Sequence, residues 1–562
     1  MSRLEKRSNT ILFVMYCLLL ILAPVLSTIL HIGAFNNILT IFLVLIICCI
    51  GIFFRINRLY SFSITDILVF LFILYGSISL YINSSFGLRF WEWSAIILSF
   101  IFVRLISERE NNNLLIVLAF SGLIQSIIAL TQICGLTSSN HPYFEATGSF
   151  NNPGQLGGYL SISFIISIGL LKKSKRRLFI YLFSFISITI GLALILADSR
   201  ASMIASLFGL FFLFHTNISQ YIKKNKLLTI TGLILVVTLF VILLYSYRPE
   251  SANGRLLIWI VSLGMIADKP LLGHGVGSFN KEYMLYQAEY FKNNMDSPFI
   301  SVADNVAFAY NEFLHIAIEF GLVGLFLVII ILSLILLSKS KNYDQTIFKA
   351  GLVVFIVFSM FSYPSSVFSL FLILPVLLAG ASNEVKQRYF PLKYILVPAL
   401  CCFIIAGIKE LLFYQHIIRT QKSIKYREDY KPLISTEDHL EKLMSEPLFN
   451  AQYTYLTLYK YKIEVNEEII HLINPSCDVY CDIGDTFYKK GDFNSAKYYY
   501  EIASYMIPSR ITPNYSLWKL HLEMDNIEAA KEIAHKIILQ ELKVQNTSAI
   551  RIKQEVKRWF NE

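Results

Sequence analysis

Long apolar blocks recur along most of this sequence and restrict its fold more than any other feature. Most of them have the roughly 17–25 residues that a helix needs to cross about 30 Å of hydrocarbon. A segment inside hydrocarbon must satisfy its own backbone hydrogen bonds, which favours helices. The sequence therefore predicts an all-α polytopic membrane protein with about 13 transmembrane helices. The blocks lie at about 10–30, 37–54, 64–82, 91–107, 113–134, 155–171, 178–196, 200–216, 227–245, 311–337, 347–363, 364–381 and 394–413.

The composition agrees with a membrane protein. Hydrophobic residues make up 55% of the chain and charged residues only 16%, against about 25% charged residues in a soluble protein. The first block follows a basic start but lacks a small-residue cleavage site, so we expect it to remain as a transmembrane helix. The formal charge of +10 is spread over short clusters between apolar blocks. The positive-inside rule explains such clusters without a nucleic-acid partner.

The distribution of basic residues predicts the orientation. With a cytoplasmic N-terminus, twenty Lys and Arg residues fall in the inner connections and seven in the outer ones before the tail. An odd number of spans then places a large loop, residues 246–310, and the segment 414–562 outside the cytoplasm. We therefore expect a transmembrane domain at 1–413 and a periplasmic domain at 414–562 of a multi-pass bacterial inner-membrane protein.

The tail after about residue 412 is charged and rich in tyrosine, and part of it has a 34-residue period. This period and its small and large residues are typical of tetratricopeptide repeats, which stack helix pairs into an α-solenoid with a binding surface for a partner. The alternative is a generic helical tail. Cys477 and Cys481 form either a disulfide or a pair of unpaired packing residues. The repeat positions are Ile483, Gly484, Phe487, Gly491, Ala496, Tyr500, Ala503 and Pro508, followed by Leu517, His521, Asp525, Ala530 and Ala534.

Two arginines on the predicted outer face are candidate anion-binding residues. Arg200 begins a span within ADSRAS, and Arg255 follows a predicted Asn-Gly turn at the start of RLLIWIVSLGMI. Arginines at helix ends also extend to the membrane interface as anchors, so each residue has a structural alternative. Together, with Lys269 nearby, they suit a diphosphate because guanidinium groups bind phosphate oxygens at two points.

The apolar helix predicted from Asn311 contains an unusual polar series. Asn311, His315 and Glu319 are four residues apart and fall along one stripe, with Tyr310 and Glu312 at the outer end. Glu319 would lie about 12 Å below the helix start. A carboxylate at that depth needs a partner or a water-filled cavity. Catalysis and helix pairing are both consistent with this residue.

The glycine-rich GHGVG at 273–277 predicts a tight turn. It lacks the GK[ST] ending and the strand–helix context of a phosphate loop. No second ligand lies at metal-binding spacing from His274, so the sequence predicts no metal site there and no cofactor.

Four stretches in this order resemble the superfamily of O-antigen ligases, O-antigen polymerases and bacterial protein O-oligosaccharyltransferases. The last stretch fits the family pattern of His-Asn, nine residues and Gly-x-x-Gly through Asn311, Gly321 and Gly324. The resemblance covers about residues 10–410, and some members carry a tetratricopeptide tail. The stretches are TGSFNNPGQLGGYL (147–160), DSRAS (198–202), GRLLIWIVSLGMIADKPLLGHGVGSF (254–279) and YNEFLHIAIEFGLVG (310–324).

The resemblance implies transfer of a glycan from undecaprenyl diphosphate to an acceptor hydroxyl, without a metal. The family arginines that hold the diphosphate correspond to Arg200 and Arg255. The family histidine that activates the acceptor corresponds to Tyr310, and tyrosine ordinarily titrates near pH 10. Tyr310 is then a positioning residue, with Asn311 beside it, or the chain is altered in activity. The remaining candidates for the base are His315, Glu312 and Glu319.

The expected function is therefore O-antigen ligation onto lipid A core. Transfer onto protein and glycan polymerisation are the alternatives within the family. An outer-face tail fits a bulky acceptor or a protein partner, which favours the first two functions over polymerisation. A transporter of lipid-linked sugars is the alternative from another class, but the sequence lacks the internal duplication typical of transporters.

Overall fold

The computed structural model describes residues 3–29, 33–55, 63–82, 88–106, 108–224, 249–382, 474–540 and 547–561, and the regular structure within these ranges is helical. The chain divides into two compact units, which are described separately. Of the described residues, the first unit contains those up to 224, 310–316 and 322–382. The second contains 249–309, 317–321 and the tail from 474.

The first unit is built from long apolar helices, as the sequence predicts. Five helices in the described ranges are long and apolar enough to cross a membrane, and four shorter apolar helices accompany them. The predicted spans at 227–245 and 394–413 lie outside the described residues, so the count of 13 stays a prediction. The helices are α1 (Arg3–Ile29), α2 (Gly33–Arg55), α3 (Ile64–Ile82), α4 (Leu88–Leu105), α5 (Glu108–Ile133), α6 (Pro153–Lys173), α7 (Arg177–Leu196), α8 (Arg200–Lys224), α11 (Glu312–Leu337) and α12 (Tyr343–Ser359).

The predicted span at 364–381 is not one helix. Pro364 begins a 3-10 turn (Pro364–Ser366), which is followed by α13 (Phe368–Phe371) and α14 (Ile373–Ala381). Proline fixes its own φ and disfavours helical backbone in the residue before it. The proline therefore prevents residues 363–381 from forming one continuous helix.

Helix α6 packs against α5, α7, α8 and α12 through small residues. A Cβ on Gly157 would lie 2.4 Å from Ser202 Oγ on α8, and one on Gly158 would lie 2.4 Å from the Phe358 ring on α12. Small residues allow close helix approach where hydrocarbon supplies little hydrophobic driving force. Two motif stretches, 147–160 and 198–202, are therefore in direct contact within the first unit.

Ion pairs join the ends of helices that the charge pattern assigns to one side. The Arg104 guanidinium at the end of α4 binds both oxygens of Asp66 on α3, at 2.9 and 2.7 Å. Lys173 Nζ at the end of α6 lies 2.5 Å from Asp344 Oδ1 on α12. Both pairs lie at helix ends that the distribution of basic residues predicts on the cytoplasmic side.

The second unit combines the large loop with the tail. Loop helices α9 (Pro249–Asp268) and α10 (Ser278–Asn293) precede a 3-10 turn (Ile300–Val302). The tail helices are α15 (Cys477–Lys489), α16 (Phe493–Met506), α17 (Ile511–Glu523), α18 (Ile527–Leu539) and α19 (Thr547–Asn561). Each tail helix packs against the next. The predicted domain boundary at 413/414 lies outside the described residues.

A buried amide connects the loop to the tail. Gln287 on α10 donates to the carbonyl oxygens of Asp304, at 3.2 Å, and Met506, at 2.7 Å. Around it, the Cys477 N–H donates to Asn305 Oδ1 at 3.2 Å, and Arg510 pairs with Asp478. Both cysteines near this junction, Cys477 and Cys481, are buried free thiols in α15, which favours the packing alternative over a disulfide.

The tail backbone repeats at 34 residues. Helix α15 and its following turn correspond to α17 and its turn, and α16 corresponds to α18. Gly491 and Asp525, 34 residues apart, end the two turns with φ of +79° and +53°. The next residues, Asp492 and Asn526, cap the following helices by accepting from the N–H three residues on, at 3.1 and 3.2 Å.

This equivalence predicts opposite effects of two substitutions. Asp525→Gly should stabilise the tail by up to about 1 kcal/mol, because glycine adopts positive φ without a Cβ clash. Gly491→Val should destabilise it by about 1–2 kcal/mol, because a β-branched residue is strained there. Thermal unfolding of the full chain in detergent measures both. Equal shifts in the same direction would contradict the proposed backbone equivalence.

Candidate functional site

The start of α11 is fixed by side chains that were predicted to act in the site. Asn311 caps the helix by accepting from the N–H groups of Phe313, at 2.9 Å, and Leu314, at 3.2 Å. An asparagine in this position satisfies N–H groups that have no partner within the helix. The acceptor-positioning residue predicted at 311 therefore has a clear structural role.

Glu312 is buried in the first turn of α11. One of its carboxylate oxygens accepts from the Ser365 N–H at 2.9 Å, and both oxygens lie 2.8 Å from Ser365 Oγ. A carboxylate is favoured at a helix N-terminus by the helix dipole and by charge-assisted hydrogen bonds. These contacts hold the carboxylate in one orientation.

Tyr310 has an unusual backbone conformation. Its φ is +51°, a region that bulky residues seldom adopt and that costs about 1–3 kcal/mol. Its ring meets the Tyr363 ring edge to face, with centroids 5.1 Å apart. Tyr310 and Glu312 thus both contact the segment 363–365. His315, one turn further along α11, donates its backbone N–H to the Asn311 carbonyl at 3.0 Å.

Helix α11 is interrupted at Gly321. The residue has φ +66° and ψ −175°, a combination that only glycine adopts without severe strain. The break releases two carbonyl groups that would otherwise accept bonds from the next turn. Ile318 and Glu319 accept instead from the backbone N–H groups of His274, at 2.8 Å, and Gly275, at 3.0 Å. Main-chain groups inside a membrane protein need such partners.

The glycine-rich turn at 273–277 packs against this interruption. Gly273, Gly275 and Gly277 all have positive φ, as the sequence predicts for a tight turn. A Cβ on Gly273 would lie 2.5 Å from Gly321 N, and one on Gly321 would lie 2.1 Å from Leu271 O. The Gly277 N–H donates to Glu319 Oε1 at 2.7 Å. The buried Glu319 carboxylate therefore has a backbone partner within the second unit.

His274 has acceptors at both ring nitrogens. Nδ1 lies 2.6 Å from Glu282 Oε2, and Nε2 lies 2.8 Å from the Met265 carbonyl. The Met265 carbonyl requires an N–H at Nε2. The neighbouring Glu282 carboxylate raises the pKa of His274 because it favours the protonated ring. In the described part of the chain, no group of three His, Cys, Asp or Glu side chains is placed to hold a metal ion.

The stretch 147–152 is held by two buried glutamines of α5. Gln132 Oε1 accepts from the N–H groups of Thr147, at 3.0 Å, and Gly148, at 2.7 Å. Gln125 Oε1 accepts from the N–H and hydroxyl groups of Ser149, at 3.1 and 2.7 Å. Gly148 has φ +57°, which explains the glycine in this motif.

The two predicted diphosphate-binding arginines belong to different units. Arg200 is the first residue of α8 and follows Asp198, whose φ is +50°. Arg255 lies in the second turn of α9. The predicted Asn-Gly turn before Arg255 is wrong, because α9 begins at Pro249 and contains both residues. Proline is favourable in the first helical turn, and Glu250 there complements the helix dipole.

Sequence reasoning missed several residues that shape these sites. Gln125, Gln132 and Ser365 were not selected, because a lone polar residue beside an apolar block has no spacing signal. Glu282 lies eight residues from His274 and on another element, so no helical period joins them. Pro364 is only the first residue of the predicted block 364–381, although it precedes the serine that binds Glu312.

Comparison with known families finds one match. A family model described as O-antigen ligase matches residues 185–329. No curated protein matches the chain. The matched segment extends from α7 into α11 and contains Arg200, Arg255, the glycine-rich turn and residues 310–321. It supports glycan transfer of the O-antigen ligase and polymerase type in a multi-pass membrane enzyme, for which the family suggests a lipid-linked glycan donor.

The interruption of α11 predicts a strong effect of Gly321→Ala. The added Cβ would collide with Leu271 O and impose an unfavourable φ, so we expect a loss of about 3 kcal/mol or more. Gly264→Ala is the matched control, because its Cβ would meet nothing within 4 Å and alanine favours the helix by about 0.5–1 kcal/mol. Thermal unfolding in detergent compares them. Equal stability of both variants would show that the break is not required.

The His274–Glu282 pair predicts a pH-dependent loop. Because the folded-state pKa of His274 is raised, the protonated ring stabilises the loop below the ordinary histidine pKa near 6.5. This stabilisation is lost as the pH rises through the raised pKa. Lys269, which opposes the shift, and the Tyr286 ring also face His274. Hydrogen exchange of residues 269–279, corrected for intrinsic rates, should therefore become faster at high pH.

The control for this pH effect is Glu282→Gln, which removes the charge but keeps a hydrogen-bonding side chain. Its exchange midpoint should move to lower pH. An unchanged midpoint would exclude Glu282 as the cause, and flat wild-type protection would exclude His274 titration.

Proposed function

We propose that the protein is an O-antigen ligase, which transfers a glycan from an undecaprenyl-diphosphate-linked donor to a hydroxyl of lipid A core. The observation that carries the proposal is the O-antigen ligase match at 185–329. That segment contains both candidate arginines and the polar start of α11. The protein would act at the outer face of the bacterial inner membrane, with a cytoplasmic N-terminus and a periplasmic C-terminal domain.

The reaction is a displacement at the anomeric carbon. The acceptor oxygen forms the new C–O bond while the bond to the diphosphate breaks, and undecaprenyl diphosphate leaves with the electron pair. Arg200 and Arg255 bind the diphosphate and stabilise the charge that develops on it. The acceptor proton passes to a protein base. No metal or other cofactor takes part in this scheme.

His315 is the base that we favour. Both oxygens of Glu312 contact Ser365, and Glu319 accepts the Gly277 N–H, which gives each carboxylate a structural task. Neutral imidazole is suited to proton transfer near pH 7. Tyr310 would orient the acceptor through its hydroxyl group, with Asn311 and Glu312 maintaining the helix start.

The tail would provide a docking surface as a tetratricopeptide-like α-solenoid within a periplasmic domain at 414–562. Its 34-residue repetition of helix bounds, turn conformations and caps supports this assignment. A helical surface also supports a second candidate function, protein O-oligosaccharyltransferase, because a protein acceptor needs a docking surface. Polymerisation and transport of lipid-linked sugars remain alternatives that such a tail does not favour.

Deletion of the gene in its host tests the acceptor. We expect loss of the O-antigen ladder on lipopolysaccharide with unchanged glycoproteins. Loss of protein glycans with an intact ladder would favour the second candidate, and accumulation of single-repeat lipopolysaccharide would favour polymerisation. If donor fails to reach the outer face, the transporter alternative would be correct.

The arginine assignment predicts loss of transfer in each single variant. Arg200→Ala and Arg255→Ala should each lower turnover with a lipid-linked glycan by about 10²-fold or more, because each removes charge stabilisation in the transition state. Lys292→Ala removes an exposed cation from the large loop that contains Arg255. It is the control and should keep full turnover. Addition of EDTA should change nothing. Normal turnover in both arginine variants would refute the diphosphate assignment.

The choice of base predicts a contrast around Tyr310. His315→Ala should abolish most transfer, whereas Tyr310→Phe and Glu319→Gln should retain measurable turnover. Hydrogen exchange of α11 identifies variants that merely unfold the helix. If Tyr310→Phe is inactive and the other two are active, the tyrosine takes the proton and His315 does not.

A further inference from the structure

An open cavity of about 540 Å³ lies between α17 and α19 in the tail. It is outside the segment that matches the O-antigen ligase model, and nothing in the proposed transfer reaction uses it. Its volume is within the range of small-ligand sites, about 300–1,000 Å³. Its lining residues are Trp518, Arg551, Gln554, Glu555, Arg558 and Trp559.

Aromatic rings form one side of this cavity. The Trp518 and Trp559 rings meet edge to face, with centroids 5.5 Å apart, and Tyr515 stacks on Trp518 at 5.6 Å. Trp518 is only 4% exposed. Its indole N–H is buried and has no hydrogen-bond partner among the described residues. Because that nitrogen has almost no accessible surface, the Trp518 ring supports the Trp559 ring by packing and offers no hydrogen bond to a ligand.

Polar groups of α19 form the other side. Its apolar residues Ala549, Ile552 and Val556 belong to the tail core, which leaves Arg551, Glu555 and Arg558 on the exposed part of the helix. Spacings of four and three residues place these three side chains on one face. In the described part of the tail, neither guanidinium has an ion-pair partner.

Glu555 is already oriented for binding. Both of its carboxylate oxygens lie 2.9 Å from the Tyr515 hydroxyl, which donates to them. The Lys519 ammonium lies 4.4 Å from the centroid of the Tyr515 ring. The cavity therefore combines a fixed aromatic wall, one oriented carboxylate, one amide and two guanidinium groups, with an excess of positive charge.

We propose that this cavity binds a segment of an acidic oligosaccharide. A pyranose ring has an apolar C–H face that packs on an indole ring. Its hydroxyl groups would pair with Gln554 and Glu555. Carboxylate or phosphate substituents would pair with Arg551 and Arg558, whose geometry suits such anions.

The site would act as a second glycan-binding site, separate from the residues of the transfer reaction. This inference rests on the proposed function in one respect, which is that a glycan is present near the tail. Its role would be to hold a donor or acceptor chain while the transfer takes place elsewhere in the protein.

The test is a calorimetric titration of the full-length protein in nanodiscs. The acidic probe is hexagalacturonate and the neutral probe is maltohexaose, a chain of similar length. We expect binding of the acidic probe and at least tenfold weaker binding of the neutral one. Trp559→Leu and the double variant Arg551→Gln/Arg558→Gln should each weaken binding of the acidic probe about tenfold or more.

Controls for this test use residues outside the cavity. Lys531→Gln removes an exposed charge from α18, and Tyr498→Leu removes an exposed aromatic ring from α16. Both should bind like the wild type. Trp518 is left intact because it belongs to the tail core. Equal weakening by Lys531→Gln would indicate non-specific attraction of a polyanion and overturn the proposal.

Two further outcomes would also overturn it. One is the absence of binding by the acidic probe. The other concerns anionic phospholipid vesicles. If the protein binds them, the cavity variants abolish this binding and hexagalacturonate does not compete with it, the ligand is a membrane surface. The Arg200→Ala and Arg255→Ala variants separate this proposal from the transfer reaction, because they should bind the probe normally. Binding without any transfer activity would support the site and refute the proposed function.

Discussion

The second unit depends most on the backbone hydrogen bonds at Gly321, where N–H groups of the glycine-rich turn replace those of the next turn of α11. A helix in an apolar setting cannot leave its carbonyl groups without donors, so a break is stable only where another segment supplies them. The turn at 273–277 supplies N–H groups to Ile318 and Glu319. Its three glycines all have positive φ, and Gly273 is also required for the close backbone approach to Gly321. A break and a turn that would each be costly alone stabilise each other.

This arrangement changes the interpretation of Glu319. From the sequence it is a carboxylate buried in an apolar helix, for which catalysis and pairing are equally reasonable. In the structure its Oε1 accepts the Gly277 N–H, directly before α10 begins. The carboxylate thus adds a third hydrogen bond to the two that join the interrupted helix to the turn. It thereby stabilises the turn that also places His274 against Glu282. The residue contributes to the shape of the loop whether or not it also moves a proton.

The sequence predicts elements better than contacts. Apolar blocks and turn glycines follow from local physics. Within the described residues, helices occupy most of the predicted blocks, and the tight turn occurs where its glycines predict it. The break in α11 cannot be predicted in this way, because EFGLVGL continues the apolar period of the helix. The N–H groups that bind the released carbonyls are more than forty residues away in the sequence. Ser365 and Gln132 were missed for the same reason. Ser365 matters through Glu312, and Gln132 matters through Thr147 and Gly148. Partners this far away in sequence leave no periodic pattern. The Asn-Gly pair at 253–254 shows the reverse error, a local turn signal outweighed by a helix that begins at Pro249.

The two helix pairs of the tail share backbone conformations rather than residue identities, and α19 ends the series. At the turn, one repeat uses glycine and the other aspartate to reach positive φ, and the following caps are aspartate and asparagine. Different residues therefore satisfy the same backbone requirement, and this is why the period is weak by residue identity and clear by conformation. Helix α19 follows the second pair and covers its apolar side with Ile552 and Val556. Because no further repeat packs on its outer face within the described tail, that face is available for the charged and aromatic side chains of the cavity. A terminal helix of this kind completes the core and provides a site that an internal repeat would bury.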